Sequence, residues 1–267
     1  MRRYLYLLPA LLALLPASWA SETSIKPFQL GAILSQQEGM YKPMSCESLN
    51  AKVQGVLRKY YNGSLGGEEH WKRLESLIIK GEIALPDGQV VEFTSNRKKP
   101  DLCKTVLKLD RGFEIISSFD GADAWQHITY ETEEPVDMPA EIALDYIRDS
   151  VFGSHLLYPE LPGKTIAYLG EGRVGGSVCY RLQVTLPNSQ SLIMAINVET
   201  GLQVAQEFNS EVDGKERRLI QSDFREVAGV LIPFRIETYA GEELQEVTTL
   251  TSVEANRGLT PWMFQRR

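Results

Sequence analysis

Along most of this chain apolar and polar residues alternate with a period of two, the spacing of half-buried β-strands. In the first half, Leu77 to Leu85, Gln89 to Ser95, Leu102 to Leu109 and Phe113 to Phe119 read as strands. Turn signals at Pro86-Asp87-Gly88 and Arg111-Gly112 fall between them. The second half adds Lys164 to Leu169, Ser177 to Leu186, Ser191 to Val198, Leu202 to Val212, Lys215 to Glu226, Val230 to Tyr239 and Leu244 to Val253. Pro187-Asn188, Thr200-Gly201, Asp213-Gly214, Ala228-Gly229 and Gly241 mark short hairpins there. The period becomes helical elsewhere. Leu49, Val53, Val56, Leu57, Tyr60 and Tyr61 share one helical face, with Ser45 placed to cap it and Asn62-Gly63 to end it. Gly67 to Leu74 predicts a shorter helix carrying Trp71 and Leu74. Pro139 to Phe152 predicts a third, with Ile142, Ala143, Tyr146 and Ile147 as its stripe.

About eleven antiparallel strands in one sheet have to curl, and so few helices cannot cover both faces of it. The expected fold is mainly β (α+β): a half-open antiparallel β-barrel with a few covering helices. One strand face collects the large apolar side chains, while the other is largely Lys, Glu, Arg, Gln and Thr. On the apolar face, Leu77, Ile79, Phe93, Ile115, Phe119, Tyr180, Leu182, Met194, Ile196, Phe208, Phe234 and Ile236 are the candidates to line a cavity for a hydrophobic ligand. Each position alone fits a filled core equally well, so the set carries the expectation of a cavity.

The N-terminus sets the compartment. Arg2 and Arg3, an apolar run from Tyr4 to Leu15, and small residues at Ser18 and Ala20 form a cleavable signal peptide over residues 1–20. Pro9 and Pro16 bracket the run too tightly for a transmembrane helix, which needs about 20 apolar residues. The expectation is an exported, periplasmic protein that is not an integral membrane protein. Residues 21–44 mix Pro, Gln, Gly and Ser around Phe28, Leu30, Ile33 and Leu34 and read as a partly ordered arm, followed by one domain over residues 45–267.

Without Arg2 and Arg3, the 28 basic residues fall to 26 against 35 acidic ones, so the mature chain carries about −9. Such a charge repels phosphate backbones and excludes nucleic acid as a partner. Cys46, Cys103 and Cys179 allow at most one internal disulfide, and Cys179, between Val178 and Tyr180, reads as a small buried side chain.

Catalytic chemistry is thin. Gly170-x-Gly172-x-x-Gly175 has the spacing of a dinucleotide-binding loop, but the alternation of Val178, Tyr180, Leu182 and Val184 after it is that of a strand, where the pyrophosphate site requires a helix. The glycines read as a hairpin loop. His70, His127 and His155 lack metal-ligand spacing, and Gly153-Ser154-His155 lacks the elbow of a serine hydrolase. Glu68-Glu69, Glu133-Glu134 and Glu242-Glu243 read as solvated surface, and Asp120 to Asp123 as a turn. No catalytic residue, metal or cofactor is expected.

Five segments in order carry a resemblance. They are "GGEEHWKRLESLIIKGEI" (Gly66 to Ile83), "KKPDLCKTVLKL" (Lys98 to Leu109), "SFDGADAWQ" (Ser118 to Gln126), "SDFREVAGVLIPFRIET" (Ser222 to Thr238) and "LTPWMF" (Leu259 to Phe264). Together they resemble the LolA-like outer-membrane lipoprotein-sorting proteins, in a broad branch of that superfamily, over about Val53 to Phe264. The resemblance implies a half-barrel lidded by helices that receives acyl chains of a lipoprotein or lipid, with membrane-associated donor and acceptor proteins as partners. It also admits a module that senses misplaced lipoproteins or lipids through a protein partner. Trp71, Trp125 and Trp262 are then candidates for a cavity mouth or for core anchors.

Overall fold

The computed structural model describes residues 26–37 and 39–267, so the signal-peptide segment lies outside the described residues. Strands β1 (Ser76–Ala84), β2 (Val90–Lys98), β3 (Leu102–Lys108), β4 (Glu114–Phe119), β5 (Ala124–Ile128) and β6 (Val136–Asp137) form a meander. Strands β7 (Thr165–Val174), β8 (Ser177–Thr185), β9 (Ser191–Asn197), β10 (Gln203–Asn209), β11 (Glu216–Val227), β12 (Val230–Ala240) and β13 (Glu243–Ala255) form a second. The two meanders join where β1 pairs with β13, Leu77 opposite Ala255 and Ala84 opposite Val247. The result is one open antiparallel sheet of 13 strands whose edges are β6 and β7.

The half-barrel is therefore as expected in kind but has two strands more than the alternation predicts. β5 escapes the pattern because Gln126 and His127 interrupt its short apolar run, and β6 has only 2 residues. β7 runs on through Gly170 and Gly172, and the turn at Gly175 and Gly176, both at positive φ, returns the chain into β8. That hairpin is the geometry anticipated for the glycine motif.

Among the described residues four α-helices lie against the sheet: α1 (Leu30–Gln36), α2 (Ala51–Gly63), α3 (Gly67–Arg73) and α4 (Ala140–Ser150). The cap of α2 is Asn50, whose side chain accepts a hydrogen bond from the Lys52 amide at 2.9 Å, and not Ser45. Ser45 and Ser48 instead donate to the Glu160 carboxylate, tying the start of this region to the loop after α4. The segment read as an arm contains α1. Phe28 and Leu30 are buried, and the Gly31 amide donates to the buried Asp101 carboxylate at 2.7 Å. The physical reason it escapes the sequence is that a residue 70 positions away, not a local cap, holds the helix start.

Packing divides into separate clusters. α1, α2, α3 and the loop carrying Leu156, Leu157 and Leu161 cover Leu182, Met194, Ile196 and Phe208 on β8 to β10. α4 lays Ile142, Tyr146 and Ile147 over Cys103 and Phe119. A third cluster, Ile83, Val91, Phe93, Leu107, Ile115, Ile128, Phe234 and Leu250, comes from strands alone. All three cysteines are buried free thiols, Cys179 among the small side chains Ala195 and Ala205.

One ion cluster fixes α4. Arg148, 1% exposed, spans Asp145 at 2.7 Å and Asp149 at 2.8 Å, and its guanidinium carbon lies 3.8 Å from the centre of the Phe208 ring. The fully buried Asp145 carboxylate also accepts from the Ser210 hydroxyl at 2.7 Å and from the Glu211 amide. Replacing Arg148 strands two carboxylates that have lost their counter-charge. Arg148→Met is expected to cost about 3–5 kcal/mol of stability, read as a lower urea midpoint. A loss under about 1 kcal/mol would mean water reaches the cluster freely.

Candidate functional site

Between the helix groups the concave face is not filled. A cavity of about 350 Å3 lies there, bounded by strands from β3 round to β10 and by α2, α3, α4 and the segment Val151 to His155. Its size is within the range of small-molecule and lipid-chain sites. Trp71, Leu74, Leu77, Ile79, Phe93, Leu219, Ile232, Ile236, Leu250 and Phe152 supply its apolar wall. Arg97, Arg148, Asp149, Ser154, His155, Gln203, Gln206 and Gln221 supply a polar one.

Strand register explains how the two walls meet. Side chains two apart share a face, so Arg97, Ser95, Phe93 and Val91 follow one another along the concave side of β2. β3 repeats the gradient with Cys103, Thr105 and Leu107, which stand opposite Arg97, Ser95 and Phe93. On β4 and β5, Ser117 pairs with Gln126 and Ile115 with Ile128, again polar toward the Arg97 end and apolar away from it. From Arg97 to Val91 the strand rises roughly 20 Å.

The twelve positions singled out from the alternation separate here. Leu77, Ile79, Phe93 and Ile236 line the cavity. Ile115 and Phe234 belong to the adjoining cluster formed by strands alone. Phe119 lies beneath α4. Leu182, Met194, Ile196 and Phe208 lie beneath α1, α2 and the loop after α4, with Tyr180 packed at their margin. Of the tryptophans, Trp71 lines the cavity, Trp125 is a buried anchor donating to the Phe264 carbonyl at 2.9 Å, and Trp262 is exposed.

Polar lining residues were absent from the expectation. Arg97 and Ser95 were nonetheless legible by parity, standing four and two residues from Phe93 on the same strand face. His155, 5% exposed, has no hydrogen-bond partner at Nδ1 among the described residues. Burial, with the charges of Lys164 and Arg148 nearby, holds its imidazole down at about 3, so the ring is neutral at physiological pH. Burial raises the Tyr146 phenol well above its usual range; its hydroxyl donates to the Ser117 carbonyl at 2.8 Å. The Asp120 carboxylate accepts from the Ala122 and Asp123 amides, an ordinary turn. Among the described residues no cluster of His, Cys, Asp or Glu could hold a metal ion.

Gly81 shapes the apolar wall. A side chain there would meet the Phe93 ring at 2.8 Å and the Thr249 carbonyl, so the absence of a Cβ lets Phe93 lie across β1. Gly81→Val is expected to displace that ring and lower the melting temperature; an unchanged Phe93 ring environment by NMR would refute the contact. His155 yields a pH expectation. Because its pKa falls from 6.5 unfolded to about 3 folded, the unfolded chain binds the extra proton between those values. Its contribution is therefore present above about pH 6.5 and is lost as pH falls toward 3, by up to ~1.4 kcal/mol per pH unit. His155→Gln should flatten the decline in urea stability between pH 6.5 and 4.5 relative to the wild type, and parallel curves would contradict it.

No protein-family model matches the chain, and no curated protein matches it in sequence. Its fold has clear counterparts among solved structures. A LolA superfamily protein from Nitrosomonas europaea is 16% identical with a TM-score of 0.53, over 80% of this chain and 97% of that one. A domain described as an outer membrane lipoprotein-sorting protein, from Vibrio parahaemolyticus, is 14% identical with a TM-score of 0.51, over 74% and 93%. A DUF1329 family protein from Desulfovibrio piger is 13% identical with a TM-score of 0.53, over 80% and 96%. With its single curled antiparallel sheet, its concave cavity and its covering helices, the chain has the LolA-like fold.

Proposed function

We propose that this chain is an exported carrier that binds acyl chains of a lipid or lipoprotein in the concave face of its half-barrel, handing them between membrane-associated donor and acceptor proteins. The observation that carries the reading is the apolar wall of Ile79, Phe93, Ile232 and Ile236, continuous with a strand-borne cluster to which no described helix contributes. Each methylene buried there contributes ~0.8 kcal/mol, so affinity needs shape and apolar surface and no catalytic group. The signal peptide supports export to the periplasm. No helix among the described residues is long and apolar enough to cross a membrane.

The adaptor reading has one observation in its favour. At the end of the sheet where β1 turns into β2, Val90, Phe113 and Leu244 are exposed among the acidic residues Asp87, Glu133, Glu242 and Glu243. That edge has the chemistry of a protein contact. The two readings part on cargo. Mass spectrometry of an organic extract from protein purified without detergent is expected to give stoichiometric lipid or lipopeptide. Ile236→Glu, placing a charge at a half-buried position of the apolar wall, is expected to abolish uptake of an acyl probe in a variant with native circular dichroism. An empty protein that also refuses acyl probes would favour the adaptor.

A further inference from the structure

Arg97 and Arg148 are the two basic side chains permanently charged in the cavity wall, and they are in different situations. Arg148 is paired with two carboxylates: Nε and Nη2 donate to the two oxygens of Asp149, and Nη1 donates to Asp145. Asp149 is the one carboxylate that lines the cavity, and both its oxygens are taken by that bidentate pair. Arg97 forms no ion pair among the described residues; its Nη1 donates to the Asp149 backbone carbonyl at 3.0 Å. A guanidinium has five N–H donors in a planar fork that matches carboxylate and phosphate oxygens, so most of that capacity is left for something in the cavity.

We infer that the cavity takes an amphiphile with an anionic head, a carboxylate or a phosphate, seated on Arg97 with its acyl chain running past Ser95 toward Phe93 and the wall of Ile79, Ile232 and Ile236. This deepens, and rests on, the acyl-binding reading: it names which end of the ligand lies where and which head chemistry is preferred. The gradient along β2 sets the direction, because reversing the ligand would place a charge against Phe93 and Ile79 and leave Arg97 facing methylenes. In the Asp145, Arg148 and Asp149 cluster the one cation is outnumbered by the two carboxylates it holds, so it attracts an anionic head less than Arg97 does. A neutral acyl glyceride or alcohol would leave the Arg97 charge buried under the ligand without a counter-ion.

The test compares laurate, dodecyl phosphate and dodecanol, one chain length with three heads, by displacement of an uncharged naphthylamine fluorophore from the mature protein. Laurate or dodecyl phosphate is expected to bind about tenfold or more tightly than dodecanol, and whichever is stronger identifies the head. Arg97→Gln should erase that preference, bringing laurate and dodecyl phosphate to the affinity of dodecanol in the same variant, and Arg97→Lys should retain part of it. Equal binding of all three by the wild type, which needs no variant to fold, overturns the inference and leaves acyl binding standing. So does a preference that survives Arg97→Gln in a variant with native circular dichroism. If neither the fluorophore nor any of the three binds, the acyl-binding reading itself fails and takes this inference with it.

Discussion

Everything in this structure depends on a sheet that carries most of its large apolar side chains on one face, with only small clusters around Phe264 and Cys179 on the other. Thirteen antiparallel strands, each twisted against the next, cannot lie flat, and burying a single face obliges the sheet to bend that face inward. Bending solves exposure only in part. The enclosed surface is longer than four helices can cover: α1 to α3 close the flank over β8 to β10, and α4 closes the flank over β3 and β4. The cavity is what remains between them, so it follows from how much helix the chain has and where that helix sits.

The position of α4 also decides the electrostatics of that space. Arg148 holds Asp145 and Asp149 and packs on Phe208, linking the two flanks across the concave face. Its charge is matched there by two carboxylates, whereas Arg97 on β2 forms no ion pair among the described residues and has one hydrogen bond, to the Asp149 carbonyl. A structural ion cluster and an unspent cation thus stand side by side, and the burial of the first is what gives the second its distinctness.

Much of the sheet was legible in the residues. Period-two alternation in Leu77 to Leu85 or Val178 to Leu186 encodes strand, face and register together, since a shift by one residue would turn every apolar side chain outward. The apolar face was thereby readable, but its division into filled core and open cavity was not. Met194 and Phe93 occupy equivalent alternating positions, yet one lies under α2 and its neighbours and the other under empty space. That difference is set by helix placement, which arises from contacts distant in sequence such as Asp101 with Gly31 and Ser45 with Glu160. The polar wall was hidden for another reason. Arg97 and Gln221 have the composition of solvent-facing positions, and only their parity with apolar neighbours betrays the side they occupy.

The pairing of β1 with β13 has a bearing on how the molecule is made. The strand at the centre of the sheet, β13, is the last strand to leave the ribosome, and its partner β1 is the first. Until Glu243 to Ala255 arrive, β1 can form its hairpin with β2 but keeps an open hydrogen-bonding edge beside an uncovered apolar face. Folding of the complete sheet is therefore a late, long-range event, slow by its topology and exposed to aggregation while it waits. A chain interrupted between β12 and β13 would have two half-sheets with nothing to join them, so the continuous concave face exists only once β13 is made.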